Sequence, residues 1–355
     1  MRKEFVMSQA TLQSSILRQV SQKSFDEPVS VQTALSEIGA GYTIKKQPIV
    51  ALDDDIMAAI DEGADIPASR LTPLIVDGVK ATMRMDTKQA MGIVSPSYGV
   101  VQNIDAFRFV DTFCNGIGGD KPVITSAGSF GGGSRIIINA KFPEPIVLNS
   151  RRDDLLEMYV VFTTTHNGKG GVVCMVTPTR VLCNNTLPLA LKTSIGRITF
   201  QHRARVMDRM ELANQENAQK AYTAMGVYEV YEKAFKRTYE RLGQVNLNER
   251  QVDEVIAKSM FSDKVAKVLL KTRNIEDERV SVQTRNKFTA IKEVLEGGIG
   301  QSEIDAGNGQ WLINGLTTYF QNYSTYQNDE TKFDSIMIGQ NYDKVNKALS
   351  LVLKY

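Results

Sequence analysis

Histidine and cysteine are scarce in this 355-residue chain: His166 and His202 are the two histidines, and Cys114, Cys174 and Cys183 the three cysteines. No C-x-x-C occurs, and neither histidine is paired with cysteine at finger or ribbon spacing, so a structural zinc site has no ligand set. An odd, scattered cysteine count argues against a disulfide framework and fits a reducing cytoplasm. H-E-x-x-H and G-x-S-x-G are missing, which removes local support for a zinc peptidase or a hydrolase with a nucleophile elbow. The glycine-rich stretches "GSFGGGSR" (128–135) and "GKGG" (168–171) lack the G-K-[ST] ending of a phosphate loop and fit better as turns between strands.

Long apolar runs are absent as well. Nothing approaches the roughly 20 uncharged residues of a membrane helix. The apolar positions of "MRKEFVMSQATLQSSILRQ" are broken by Ser, Gln and Arg, unlike a signal peptide. Charge of one sign is nearly balanced, 42 basic against 40 acidic residues, so no global field drives binding to nucleic acid or membrane. The expectation is a soluble cytoplasmic protein without cofactor, metal or membrane partner. Any charged ligand must meet a local patch.

What is present reads as α+β: a curved antiparallel sheet with hairpins and one inserted helix, followed by a helical C-terminal region. Residues 1–70 form an N-terminal arm and acidic segment, with a short helix near 31–38 and a solvated helix and loop over "DDDIMAAIDEGADIPAS". Residues 71–203 form a β-rich core of short Val-, Ile-, Tyr- and Thr-rich runs separated by Gly, Pro and Asn. Within it, "YVVFTTTHNGKGGVVCMVT" reads as a hairpin, with His166 as a polar turn residue. "NIDAFRFVDTFCNG" reads as the inserted helix, capped by Asn103. Residues 204–355 are helical, with elements near 248–260, 280–296, 309–323 and 342–353 and Trp311 as a core anchor.

The stretch "PTRVLCNNTLPLAL" (178–191) sets Cys183, Asn184, Asn185 and Thr186 between two apolar runs. A strand ending at Cys183 and a helix starting at Leu187 would make the polar knot a helix cap. The alternative is that its amides, with Arg180, receive an anion such as phosphate.

The most informative charge pattern follows. "KTSIGRITFQHRARVMDR" carries Lys192, Arg197, Arg203, Arg205 and Arg209 against the single acid Asp208. As a strand it projects Arg197 and Arg203 to one face, and Ile198 and Phe200 to the other. A second basic set spans 258–292, where Lys264, Lys267 and Lys271 share one helix face. Arg180, Lys192, Arg197, Arg203, Arg205, Arg209, Lys264, Lys267 and Lys271 are therefore the candidate phosphate contacts, and Tyr98, Phe130 and Phe200 the candidate stacking rings.

The segments "MRMDTKQAMGIVSPSYGVVQNIDAFRFVD", "GSFGGGSRIIINAKF", "TTTHNGKGGVVCMVTPTRVLCNNTL" and "WLINGLTTYF" resemble the phage/plasmid-like proteins of the domain-of-unknown-function family nine-three-two. The run "TPTRVLCNNTL" is the most specific, with Leu182 where the family's pattern has Val. The resemblance implies a mobile-element context, amid DNA-processing or antirestriction genes, and no catalytic residues to carry over. A more distant similarity to phage single-strand annealing proteins implies a curved antiparallel sheet with helices that assembles on DNA as rings or filaments.

These features lead to the expectation of a non-enzymatic, oligomeric single-stranded DNA-binding protein, with strand annealing in recombination as its role. The alternative of another class is a protein-binding inhibitor of host defence, whose acidic N-terminal stretch mimics DNA charge. A metal-assisted nuclease acting through Asp86, Asp153 or Asp154 lacks a spaced ligand set.

Overall fold

The computed structural model describes residues 16–67, 74–115, 121–147, 155–180, 185–187, 197–201, 230, 232–302 and 304–355. Its strands are β1 (Lys23–Ser24), β2 (Ile44–Ala51), β3 (Leu74–Arg84), β4 (Gln89–Val94), β5 (Val123–Phe130), β6 (Arg135–Lys141), β7 (Ile146–Val147), β8 (Leu155–Thr165), β9 (Gly171–Arg180), β10 (Asn185–Thr186) and β11 (Arg197–Gln201). The larger sheet has the order β1-β5-β6-β8-β9-β10, with β7 added to β8 and β11 to β9, and every pairing is antiparallel. A smaller antiparallel sheet, β2-β3-β4, precedes it in sequence. The chain is thus α+β, with an open sheet followed by a helical C-terminal region.

The local causes are legible in the residues. β8 and β9 form the hairpin, Leu156 facing Arg180 and Thr163 facing Val173, across a turn that contains Gly168 at φ +78°. β5 and β6 reverse through Gly131, Gly132 and Gly133, all at positive φ, a region where a side chain would be strained. The helix Asn103–Asn115 is the inserted one, burying Ala106, Phe107 and Val110. Its Asp111 carboxylate accepts from the backbone N–H of Val31, capping the helix Val31–Glu37.

After β11 come a helix over 232–244, then Glu249–Met260, Asp263–Thr272, Val282–Gly297, Gly309–Thr318, Asp329–Met337 and Gln340–Val352. Their starts follow capping chemistry: Asn248, Ser281, Asn308 and Asn328 each accept from the N–H three residues on. Phe235 and Tyr239 stack with ring centroids 5.6 Å apart inside this region. Trp311 packs partly buried against the core, and one main cluster runs from Ile16 through the sheet to Val352.

Three local expectations are corrected. Ile16, Leu17 and Val20 are buried in the core, so the start of the described chain is not merely a polar arm. Asn185 and Thr186 are strand rather than helix cap: they pair back onto Arg180 and Thr179. The Thr186 backbone both donates to and accepts from the buried Gln321 side chain, which fastens the helical region to the sheet edge. Asn103 is the first residue of its helix and is buried, its amide serving a tertiary contact. His166 stands at the hairpin turn as expected, and it is fully buried there. The part of the knot that includes Asn184 and 188–191 lies outside the described residues.

Candidate functional site

The two glycine turns quoted from the sequence meet at one place, where the smaller sheet crosses the ends of the larger. At Gly92 on β4 an added Cβ would lie 2.4 Å from the backbone Cα of Asn167, so only glycine permits the crossing. Around it lies a buried polar network. Thr82 Oγ1 donates to the His166 carbonyl at 2.5 Å, and the His166 N–H donates to the Ser134 carbonyl at 2.6 Å. His166 Nε2 is 2.7 Å from Asn103 Oδ1, while Asn103 Nδ2 donates to the Ala40 carbonyl at 2.8 Å. With the amide nitrogen so engaged, its oxygen must accept, which assigns the Nε2 proton to His166.

Arg135 closes this junction from the other side. Its side chain is 4% exposed, and its Nη2 donates to Asp334 Oδ2 at 2.7 Å, its Nε to Glu330 Oε1 at 3.4 Å, and its Nη1 to Thr163 Oγ1 at 3.3 Å. Burial raises the Asp334 carboxyl above its ordinary range, against the lowering pull of Arg135. Asn167 Nδ2 donates to Glu330 Oε1 as well, so the helix Asp329–Met337 reaches both turns. The contacts of this junction fasten elements together. Cys114 and Cys174 are pushed up to about 12, chiefly by burial, and stay protonated at neutral pH.

The helical region holds a row of accessible charge. Lys264, Lys267 and Lys271 are exposed along one face of the helix Asp263–Thr272 and form no ion pair among the described residues. Most other cations of the second basic set are neutralised, Arg279 by Asp277 at 2.8 Å, Arg285 by Glu276 at 2.8 Å, Lys292 by Asp253 at 2.8 Å, and Lys258 by Glu254, while Arg273 is exposed without an ion pair among the described residues. The free part of that set is therefore narrower than its composition implies.

Lys287 is a special case. Its Nζ lies 5.6 Å from the Phe320 ring centroid and 5.9 Å from that of Phe261, and burial, then the adjacent Lys344, lowers it to about 8. The unfolded chain holds this proton up to about 10.5, so folding gains stability as pH rises between those two values. Lys287→Met is expected to raise Tm at pH 7 by about 2 °C, on the order of 1 kcal/mol after discounting for solvent screening. Scanning fluorimetry should show the advantage fading by pH 10.5, the ordinary lysine value, and an equal difference at both pH values would contradict the assignment.

Of the other residues singled out in the sequence, Arg180 ends β9 opposite Leu156 and Asn185, and Arg197 begins β11 opposite Met175. Phe200 sits in β11 opposite Val172. Lys192, Arg203, Arg205 and Arg209 lie outside the described residues, as do Asp153 and Asp154. Tyr98 is partly buried and donates its hydroxyl to the Thr165 carbonyl at 3.2 Å; burial raises its phenol. Phe130 packs partly buried against the main core. Asp86 is held by Arg84 at 2.8 Å, whose guanidinium keeps its carboxyl below the usual range. Among the described residues no group of three His, Cys, Asp or Glu is placed to hold a metal ion, and no helix is long and apolar enough to cross a membrane.

Sequence reasoning missed the junction's tertiary partners. Glu330 and Asp334 carry no motif, and their one signal was the acidic first turn of an unread helix, Asp329–Met337.

The fold defines an open antiparallel sheet whose turns are locked against a helical C-terminal region. A family model, the domain of unknown function DUF932, matches residues 90–337, more than half of the chain, and the chain belongs to that family. The match runs from β4 to the last residue of the helix bearing Glu330 and Asp334, and so includes both glycine turns, Asn103, Arg135 and His166. Searches of curated proteins and of solved structures return no match.

Proposed function

We propose that this chain is a non-enzymatic, single-stranded DNA-binding protein of a mobile element that acts as an oligomer and promotes strand annealing. The observation that supports it best is the row Lys264, Lys267 and Lys271, exposed and without ion pairs among the described residues. At a helical rise of 1.5 Å per residue the row extends about 10 Å. Such a row attracts phosphates without reading base edges, which leaves the bases accessible to a complementary strand. Annealing of this kind consumes no nucleotide, in keeping with a sequence that carries no Walker loop.

The test is a fluorescent single-stranded oligonucleotide titrated with the full chain across a salt series, with and without magnesium. Three lysine contacts predict a log–log slope of about −2, and five or six contacts, once the basic 192–209 segment joins, about −4, at roughly 0.7 per phosphate. Binding should be independent of magnesium and leave the oligonucleotide intact. Absence of binding at 50 mM salt, or magnesium-dependent cleavage, would overturn the reading.

A further inference from the structure

Among the described residues, half of the large apolar side chains that stand exposed belong to the β2-β3-β4 sheet and the helix Asp54–Asp61, here called the arm. Leu74 is 70% exposed, Ile93 66%, Ile75 56%, Ile60 47% and Met57 45%, with Val50 and Val76 beside them. They lie on the outer parts of β2 and β3, on β4, and on the helix Asp54–Asp61, which buries no residue. That helix spaces Ile56, Met57 and Ile60 on one face, flanked by exposed Asp53, Asp54, Asp55, Asp61 and Glu62. Val50 and Ile75 are paired across β2 and β3, next to Leu74 and a few residues from the apolar face of the helix, and an exposed apolar group of this kind beside a charged rim marks an interaction site.

A second apolar surface, with two unpaired arginines at its edge, lies in the helical region. Between Glu249–Met260, Asp263–Thr272 and Val282–Gly297 is a cleft of about 630 Å³ whose apolar lining includes Ala257, Leu269, Leu270, Ile275 and Phe288. Its acids are already engaged: Glu249 and Asp253 by Lys292, and Glu254 by Lys258. Arg250 and Arg273, also lining it, form no ion pair among the described residues. The lining thus balances three acids with three bases, but Arg250 and Arg273 are exposed and unpaired among the described residues, whereas the arm's helix is flanked by acids alone.

We propose that the arm of one copy docks its apolar, acidic helix into this cleft on a second copy of the chain. Charge selects that pairing over arm against arm, because two acidic helices in contact repel. The contact is heterologous, each copy offering one arm and one cleft, so it propagates head to tail into a ring or filament. The docked helix meets the Leu269–Leu270 side of the helix Asp263–Thr272, whereas Lys264, Lys267 and Lys271 lie on its exposed face and stay open. The inference rests on the oligomeric part of the proposed function and is independent of nucleic acid.

The experiment is mass photometry and light scattering of the full chain at micromolar concentration. Met57→Asp with Ile60→Asp disables the arm, and Arg250→Glu with Arg273→Glu disables the cleft. All four positions are exposed, so melting curves should match wild type. Wild type is expected to form oligomers, each double variant to be monomeric, and an equimolar mixture of the two variants to stop at dimers, through the one intact arm and one intact cleft. A monomeric wild type overturns the proposal. So does an arm variant that keeps the wild-type assembly, or a cleft variant that keeps it while the arm variant falls apart, which would mean arm-to-arm pairing. As a check independent of charge reversal, Met57→Cys and Asn274→Cys proteins mixed with a bifunctional thiol reagent should cross-link to each other and not each to itself; cross-linking of the Met57→Cys protein to itself alone would reject the docking. Oligonucleotide binding by the arm variant, measured separately, distinguishes failure of this interface from failure of the DNA reading.

Discussion

Arg135→Ala is expected to destabilise the fold by about 3 kcal/mol, the lower end of the range for removing one partner of a buried ion pair, because its carboxylate partners are partly exposed. The guanidinium is 4% exposed and serves two carboxylates, Glu330 and Asp334, of which Asp334 is already raised by burial. Truncation removes the counter-charge of both, most severely for Glu330, since Asp334 is 38% exposed and keeps some contact with solvent. The sign of the pH dependence follows. In the variant the two carboxyls gain most from being protonated in the folded state, so its deficit should be largest near pH 7 and shrink as pH falls below 5. Urea unfolding of both proteins at pH 7 and pH 4.5 measures this. A deficit below about 1 kcal/mol, or one that grows in acid, would show that solvent screens the junction more than its burial implies.

The second large effect is functional. Lys264→Glu, Lys267→Glu and Lys271→Glu together should weaken binding to a single-stranded oligonucleotide at least tenfold, about 1.4 kcal/mol, and make the salt slope shallower by about 2. The three side chains are exposed and form no ion pair among the described residues, so the melting temperature should stay within about 2 °C of wild type. Unchanged affinity with an unchanged melt would remove this helix from the interface and leave the 192–209 segment as the source of any binding.

Elements were legible in the sequence where one local signal governed them. The β8–β9 hairpin follows from two β-branched runs around Asn167-Gly168, and the helices near 248, 309 and 342 from apolar spacing, with Asn caps at the first two. The helix Asp329–Met337 went unread because much of its exposed face is polar and its buried positions, Phe333, Ile336 and Met337, are too few for a clear period. Strand β2 was hidden by Pro48 and the two lysines, residues an edge strand tolerates and a central one does not. The polar knot misled because Asn and Thr favour caps and turns, whereas here Thr186 takes its partners from Gln321, 135 residues away.

His166 shows the same limit in the site. Beside Asn167 and Gly168 it has the neighbours of a surface turn, and it is buried because a second sheet lies over that turn and Asn103 waits on an inserted helix. The charge readings divide likewise. Composition shows many cations between 258 and 292 but not which of them meet Asp253, Glu254, Glu276 or Asp277.

By itself, then, the amino-acid order determined the α+β class, the hairpin, the tight glycine reversals and most helix starts, because caps, turns and apolar period act over a few residues. Only the tertiary structure decided that the two glycine turns converge, that Arg135 is locked by a helix almost 200 residues later, and that three lysines of a longer basic set remain open. Burial and charge pairing are properties of surfaces brought together across the chain, and no short window of sequence contains both sides.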